Sequence, residues 1–136
     1  MLVIDTSALV KRYLAEDGRE QVLALMAGDI SWAASHLART EADIALCRVV
    51  AAGSEQARYR AELQADWARF VVVAADEVCL ARAAEIGCAT GLGTLDAIHL
   101  AAAVLVAEDV TFVTFDRRQA AAAATLGIAV APNGIA

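Results

Sequence analysis

Short apolar runs alternate along this chain with longer stretches in which apolar positions return every three or four residues. The first pattern suits strands buried on both faces, and the second suits amphipathic helices. Residues 1–4 are too few for a helix and are stopped by Asp5, so they read as a buried strand. Residues 30–34, 70–74, 111–115 and 128–131 read the same way, and FVVVA and TFVTF are rich in β-branched and aromatic residues. Between them the spacing predicts helices over 6–14, from Asp17 to 28, and from a Ser35 cap to 52. Four more follow: 54–69 from a Ser54 cap, a helix from Asp76 into the glycine-rich 87–93, 95–107 from a Thr94 cap, and 117–126. Strands that alternate with helices imply an α/β domain with a short, mostly parallel sheet. Such sheets place their chemistry at the carboxyl ends of the strands. No Gly/Ser/Pro linker and no repeat divides the chain, so one domain over residues 1–136 is expected.

Composition narrows the classes. The chain has 136 residues, 34 of them alanine and one proline, which favours helix. At 60% hydrophobic and 21% charged, disorder is excluded. Aromatics make up 5%, which leaves little for stacking on bases. The net charge of −6 would repel a polyanion unless something neutralises part of it. That argues against a general nucleic-acid coat, but not against an enzyme that gathers carboxylates around metal ions. Cys47, Cys79 and Cys88 are odd in number, lack a C-x-x-C spacing and lie in apolar helical contexts, so buried reduced thiols are expected. No charged segment followed by an apolar run opens the chain, and the longest charge-free helical stretch is about half a membrane span. A cytoplasmic protein without membrane contact is the expectation.

Four carboxylates stand out. Asp5 follows the first strand and Asp116 follows TFVTF, so both lie at carboxyl ends. Asp96 lies in the first turn of its helix. Glu41 falls away from the polar arc of His36, Arg39, Thr40 and Asp43, beside Leu37 and Ile44, at about 100° per residue. A carboxylate on the apolar side of a helix is costly unless paired or metal-bound. Each also has a plain reading: Asp5 and Asp116 as helix caps, Asp96 as a favourable charge on a helix dipole, Glu41 as a partner of Arg48. If all four meet, they cannot all stay ionised without a counter-charge. All-oxygen ligands point to Mg²⁺, with Mn²⁺ as a substitute, and away from zinc. Thr6, Ser7 and Thr114 could orient carboxylates through their hydroxyls, or simply cap and pack. His99, one turn after Asp96, is a poor ligand for a hard oxygen site. Lys11, Arg12, Arg39, Arg117 and Arg118 either contact phosphate or solvate helix faces.

LVIDTSALVKRY, TEADIAL, GLGTLDAIHLAAA and FVTFDRRQAAAAATLGIAV together resemble the PIN domain, and in particular the VapC-type ribonuclease toxins of toxin–antitoxin pairs. The resemblance covers essentially the whole chain, and DTSAL and LDAIHLAAA are its most specific parts. It implies a three-layer α/β/α fold and an acidic centre of Asp5, Glu41, Asp96 and Asp116, serving both as metal ligands and as catalytic residues. It implies a Mg²⁺-dependent endoribonuclease that cleaves single-stranded or looped RNA by metal-activated water. It also implies a cognate antitoxin, and because a 60% apolar fraction is hard to bury in one small core, a homodimer is expected as well. Apolar residues on the first two helices, such as Leu9, Tyr13, Leu14 and Met26, and the pair Tyr59 and Trp67, are candidate partner surfaces.

Two other readings compete. A PIN fold could keep its binding surface without catalysis, although four intact acidic positions speak against that. An aspartyl phosphotransferase or phosphatase also places an Asp after its first strand, but it needs a lysine late in the chain, and Lys11 is the only lysine.

Overall fold

The computed structural model describes residues 1–107 and 109–133. Five strands, β1 (Leu2–Ile4), β2 (Trp32–Ser35), β3 (Val71–Val73), β4 (Thr111–Val113) and β5 (Ala129–Ala131), form one parallel sheet in the order β3-β2-β1-β4-β5. Among the described residues there are seven helices. These are α1 (Thr6–Leu9), α2 (Arg19–Gly28), α3 (His36–Val49), α4 (Ser54–Trp67), α5 (Glu77–Thr90), α6 (Thr94–Val106) and α7 (Arg117–Thr125). The chain winds outward from β1 through β2 to β3, then returns to lay β4 against the other side of β1. The winding direction therefore reverses between β1 and β4, where a doubly wound sheet opens its crevice. Ile4 pairs with Val113, so Asp5 and Thr114 leave the sheet side by side.

The period-two alternation of β1 divides the core. Leu2 and Ile4 pack with Leu9, Met26, Leu46 and Leu63 from α1 to α4. Val3 faces the other way, with Phe112, Ile86, Leu100 and Ala123, against α5 to α7. The result is the expected three-layer α/β/α arrangement. Helix α6 is buried along Ala97–Leu100 and Ala101–Ala103, where methyl side chains let it lie close to the sheet. Much of the chain's apolar content is thus small residues inside the two cores.

Several boundaries differ from expectation. Helix α1 ends at Leu9 and tightens into a 3-10 turn over Val10–Arg12, short of residue 14. Gly18, not Asp17, occupies the cap of α2, with φ +94°. A Cβ there would stand 2.7 Å from Cε1 of Phe115. Gly53 and Gly93 hold the cap positions of α4 and α6, so Ser54 and Thr94 are first helical residues and not caps. Helix α3 stops at Val49, because Val50 turns extended. Helix α5 runs through Gly87 and is closed by Gly91 at φ +78°. The Ser35 and Asp76 caps are made, to the N–H groups of Leu37 and Cys79. Of the cysteines only Cys79 is buried; Cys47 and Cys88 lie on outer helix faces. The expected apolar surface on the first two helices is not a surface: Leu9, Tyr13, Leu14, Val22 and Met26 are buried. Exposed large apolar side chains lie elsewhere, among them Val78 and Leu80 on α5 and Leu95 and Leu105 on α6. Among the described residues, no single helix is long and apolar enough to cross a membrane.

Candidate active site at the carboxyl edge of the sheet

Asp5 leaves β1 in extended conformation and caps α1, its Oδ1 accepting the Ala8 N–H at 3.0 Å. The plain reading of this residue as a cap therefore holds, and the residue is also the buried centre of the sheet edge. Oδ1 accepts a second bond from the Ser7 hydroxyl at 2.7 Å. Oδ2 accepts from the Thr114 hydroxyl at 2.6 Å and from the Gln119 amide at 3.1 Å. Asp5 is 1% exposed. Burial pushes its carboxyl above the usual range, and the bonds from Thr114, Ser7 and Ala8 oppose that push.

The same two hydroxyls stitch β1 to the end of β4. Ser7 Oγ accepts the Phe115 N–H at 2.9 Å, and Thr114 Oγ1 accepts the Asp116 N–H at 3.0 Å. Asp116 then caps α7, accepting the Gln119 N–H at 3.0 Å. Thr6 donates to Oε1 of Glu41 at 2.8 Å. The three hydroxyls thus orient carboxylates, and Thr114 and Ser7 also satisfy backbone N–H groups.

Helix α6 carries Asp96 in its first turn and His99 one turn later. His99 is buried, and its Nε2 meets Oε1 of Glu41 at 2.5 Å. The bond to His99 holds the Glu41 carboxyl below the usual range, against partial burial. Glu41 pairs with His99 and Thr6 and not with Arg48, which is exposed. The buried stripe of α3 is Ala38, Ala42 and Leu46, while Ile44, expected beside Glu41 on the apolar side, is 44% exposed. Glu41 is accordingly turned toward α1 and α6. Burial first, then the Asp116 and Glu41 charges, push the Asp96 carboxyl up; His99 and Arg118 pull it down.

The sequence reading missed Gln119. Its Nε2 lies 3.1 Å from Oδ2 of Asp5 and 3.1 Å from Oδ1 of Asp96, so those two oxygens stand no more than twice that, 6.2 Å, apart. A signal existed. Asp116-x-x-Gln119 has the spacing of a capping box, in which the residue three past the cap turns back to it. Here the Gln119 side chain turns inward to the acids instead.

The basic residues are mostly engaged. Arg12 is drawn away to Asp66 at 2.8 Å, and Arg39 pairs with Asp43 at 3.0 Å. Lys11 donates to Glu16 and to the carbonyl of Asp17, and lies over the Phe115 ring. Arg118 donates to the Gly91 carbonyl at 2.9 Å, and Arg117 beside it is exposed.

Among the described residues, no group of three or more His, Cys, Asp or Glu side chains stands close enough to hold a metal ion as it is. The donors nevertheless fit a hard divalent cation that keeps several of its waters and takes only one or two protein carboxylates. They are all oxygens, and burial pushes the carboxyls of Asp5 and Asp96 up, that of Asp96 with help from the Asp116 charge.

Comparison with known proteins agrees with this architecture. The family model of the PIN domain matches residues 2–125. The chain is 32% identical to "Ribonuclease VapC47" of Mycobacterium tuberculosis (strain CDC 1551 / Oshkosh), over 98% of each chain. Among solved structures it is similar to FitAcB from Neisseria gonorrhoeae, with a TM-score of 0.75 at 21% identity over 96% of each chain. It is also similar to a toxin–antitoxin complex from Klebsiella pneumoniae, with a TM-score of 0.68 at 18% identity over 88% of this chain and 89% of that one. At these identities the structural likeness concerns the fold.

Proposed function

Because the chain belongs to the PIN-domain family, we propose that it is a metal-dependent endoribonuclease and the toxin of a toxin–antitoxin pair. The observation that carries the reading is the meeting of Asp5 and Asp96, from different elements of the fold, on one amide at the sheet edge, with Asp116 capping the helix that carries that amide and Glu41 close enough to raise Asp96. In this reading Asp5, Glu41, Asp96 and Asp116 hold Mg²⁺, or Mn²⁺ in its place. Such an ion, when bound, supplies an acidified water and offsets charge on the scissile phosphodiester. It also relieves the repulsion between RNA and a chain of net charge −6.

The chain's own residues do the positioning. Ser7, Thr114 and the Ala8 N–H fix both oxygens of Asp5, so its orientation is set before anything binds. Thr6 and His99 hold Oε1 of Glu41, leaving its other oxygen for the site. Arg117, exposed one residue after Asp116, is placed to meet a phosphate. Single-stranded or looped RNA fits a small acidic edge between α1, α6 and α7 better than a duplex does. The likeness to a VapC ribonuclease and to a toxin–antitoxin complex supports a cognate antitoxin as partner, and the apolar faces of α5 and α6 support a homodimer.

The test is cleavage of a labelled RNA pool by the purified chain in Mg²⁺, with an EDTA arm and the Asp96→Asn variant. Cleavage that EDTA and Asp96→Asn both abolish is expected. Equal cleavage in all three arms would refute the metal-centred reading. Binding of RNA without any cleavage would favour a PIN fold that only binds.

A further inference from the structure

The Gln119 side chain sits at the middle of the site, yet a nuclease of carboxylates and metal has no stated use for it. It is 4% exposed. A neutral amide has two N–H donors, and both point at carboxylates, one on Asp5 and one on Asp96, at 3.1 Å each. Its own oxygen, Oε1, is buried without a hydrogen-bond partner. An amide that gives both hydrogens to acids and strands its acceptor is oriented by the charge of the acids and not by its own satisfaction. The reverse orientation would set Oε1 against two anions.

We propose that Gln119 is a positioning residue whose amide occupies the place of the cation in the metal-free site, giving its two N–H donors to Asp5 and Asp96 and competing with the ion for both. The inference rests on the metal-centred reading above. A cation held by Asp5 and Asp96 brings positive charge to the place where the two N–H groups now lie. The N–H hydrogens carry partial positive charge and the cation repels them, so the amide lets go of at least one carboxylate on loading. Contacts that exist only in the metal-free state oppose binding by their own strength. Removing the donors therefore strengthens cation binding. If the bridge survived loading, removal would change nothing. If Gln119 instead preorganised the acids for the ion, removal would weaken binding. The sign of the effect separates the three roles.

The experiment is calorimetric titration of Mn²⁺ into metal-stripped full chain, for wild type, Gln119→Met and Gln119→Leu. Both variants keep an apolar filler of similar size and lose both donors. The expected result is a Kd for Mn²⁺ lower by about tenfold, the scale set by charge-assisted hydrogen bonds. A second readout uses wild type alone. Saturating Mg²⁺ should move the Gln119 side-chain amide protons upfield in a ¹H–¹⁵N spectrum, the direction of N–H groups released from a carboxylate, which decides the matter even if neither variant folds. Unchanged or weaker Mn²⁺ binding in the folded variants overturns the proposal, as does a Gln119 amide signal that Mg²⁺ leaves in place. If Asp96→Asn abolishes Mn²⁺ binding while the Gln119 variants bind as wild type, the metal-centred reading stands and only this inference falls. A wild-type chain that binds no Mn²⁺ overturns both.

Discussion

Two aspartates of the site should respond oppositely to the same near-isosteric change. Asp5 offers two oxygens to four donors: Ser7, the Ala8 N–H, Thr114 and Gln119. An asparagine has one acceptor oxygen, so its NH₂ would face either the Ala8 N–H, which cannot accept, or the Gln119 amide, which could accept only by turning its Oε1 against the Asp96 carboxylate as well. Leaving such a buried donor unpaired costs about 1–3 kcal/mol. Asp5→Asn should therefore lower the urea midpoint of the metal-free chain. Asp96 accepts from one donor, Gln119, which the amide oxygen of the replacement side chain could still satisfy, and it is raised by burial and by the charges of Asp116 and Glu41. Asp96→Asn should raise the thermal midpoint in EDTA at neutral pH, by roughly 2 °C once solvent screening is allowed for. The sign follows from linkage. A carboxyl held above its ordinary 3.8 binds more protons folded than unfolded, so its ionisation withdraws stability as pH rises through the folded value. The gain from Asp96→Asn should thus be small near pH 4 and open as pH rises; a gain that is constant with pH would discard this account. Glu41 behaves oppositely, adding stability above its ordinary 4.5 that is lost as pH falls through its lowered value.

At the scale of elements, the loop before α2 bears on the site. Gly18 has φ +94°, and a side chain there would run into Phe115, which lies between Thr114 and Asp116. Gly18→Ala should cost about 2 kcal/mol or more in a denaturant melt and reduce RNA cleavage, because the strain is relieved by moving Phe115. A variant as stable and active as wild type would show that the loop yields instead. The strand–helix alternation was legible because apolar runs ended at Asp5 and before Asp116, and because FVVVA and TFVTF favour strand. Caps were less so: Ser54 and Thr94 have capping chemistry, but a glycine precedes each and takes the position. The four carboxylates could be singled out from strand ends and a helix wheel. Their partners could not, since Gln119 meets Asp5 across 114 positions and no local pattern records that contact. Glu41 was found for a partly mistaken reason, since the buried stripe of α3 runs through Ala38, Ala42 and Leu46 and not through Ile44.

At the scale of the whole molecule, apolar residues on α5 and α6 remain uncovered, notably Val78 at 66%, Leu95 at 54% and Leu80 at 45% exposure. Sedimentation at tens of micromolar should give a dimer near twice 14.2 kDa, and replacing Leu80 and Leu95 by glutamate should return it to monomer. A monomer in the unmodified chain would leave those faces to another partner. The winding of the sheet has one more consequence, and it concerns the order of synthesis. Asp5 is made well before Thr114 and Gln119, which satisfy its Oδ2. At about 5–20 residues per second, a ribosome takes on the order of ten seconds to travel between them. Throughout that interval the growing chain lacks β4, the strand beside β1, and with it Asp116 and both donors to Oδ2 of Asp5. A chain arrested before β4 should be harmless to the cell that makes it, so toxicity would begin only once β4 and α7 have been made.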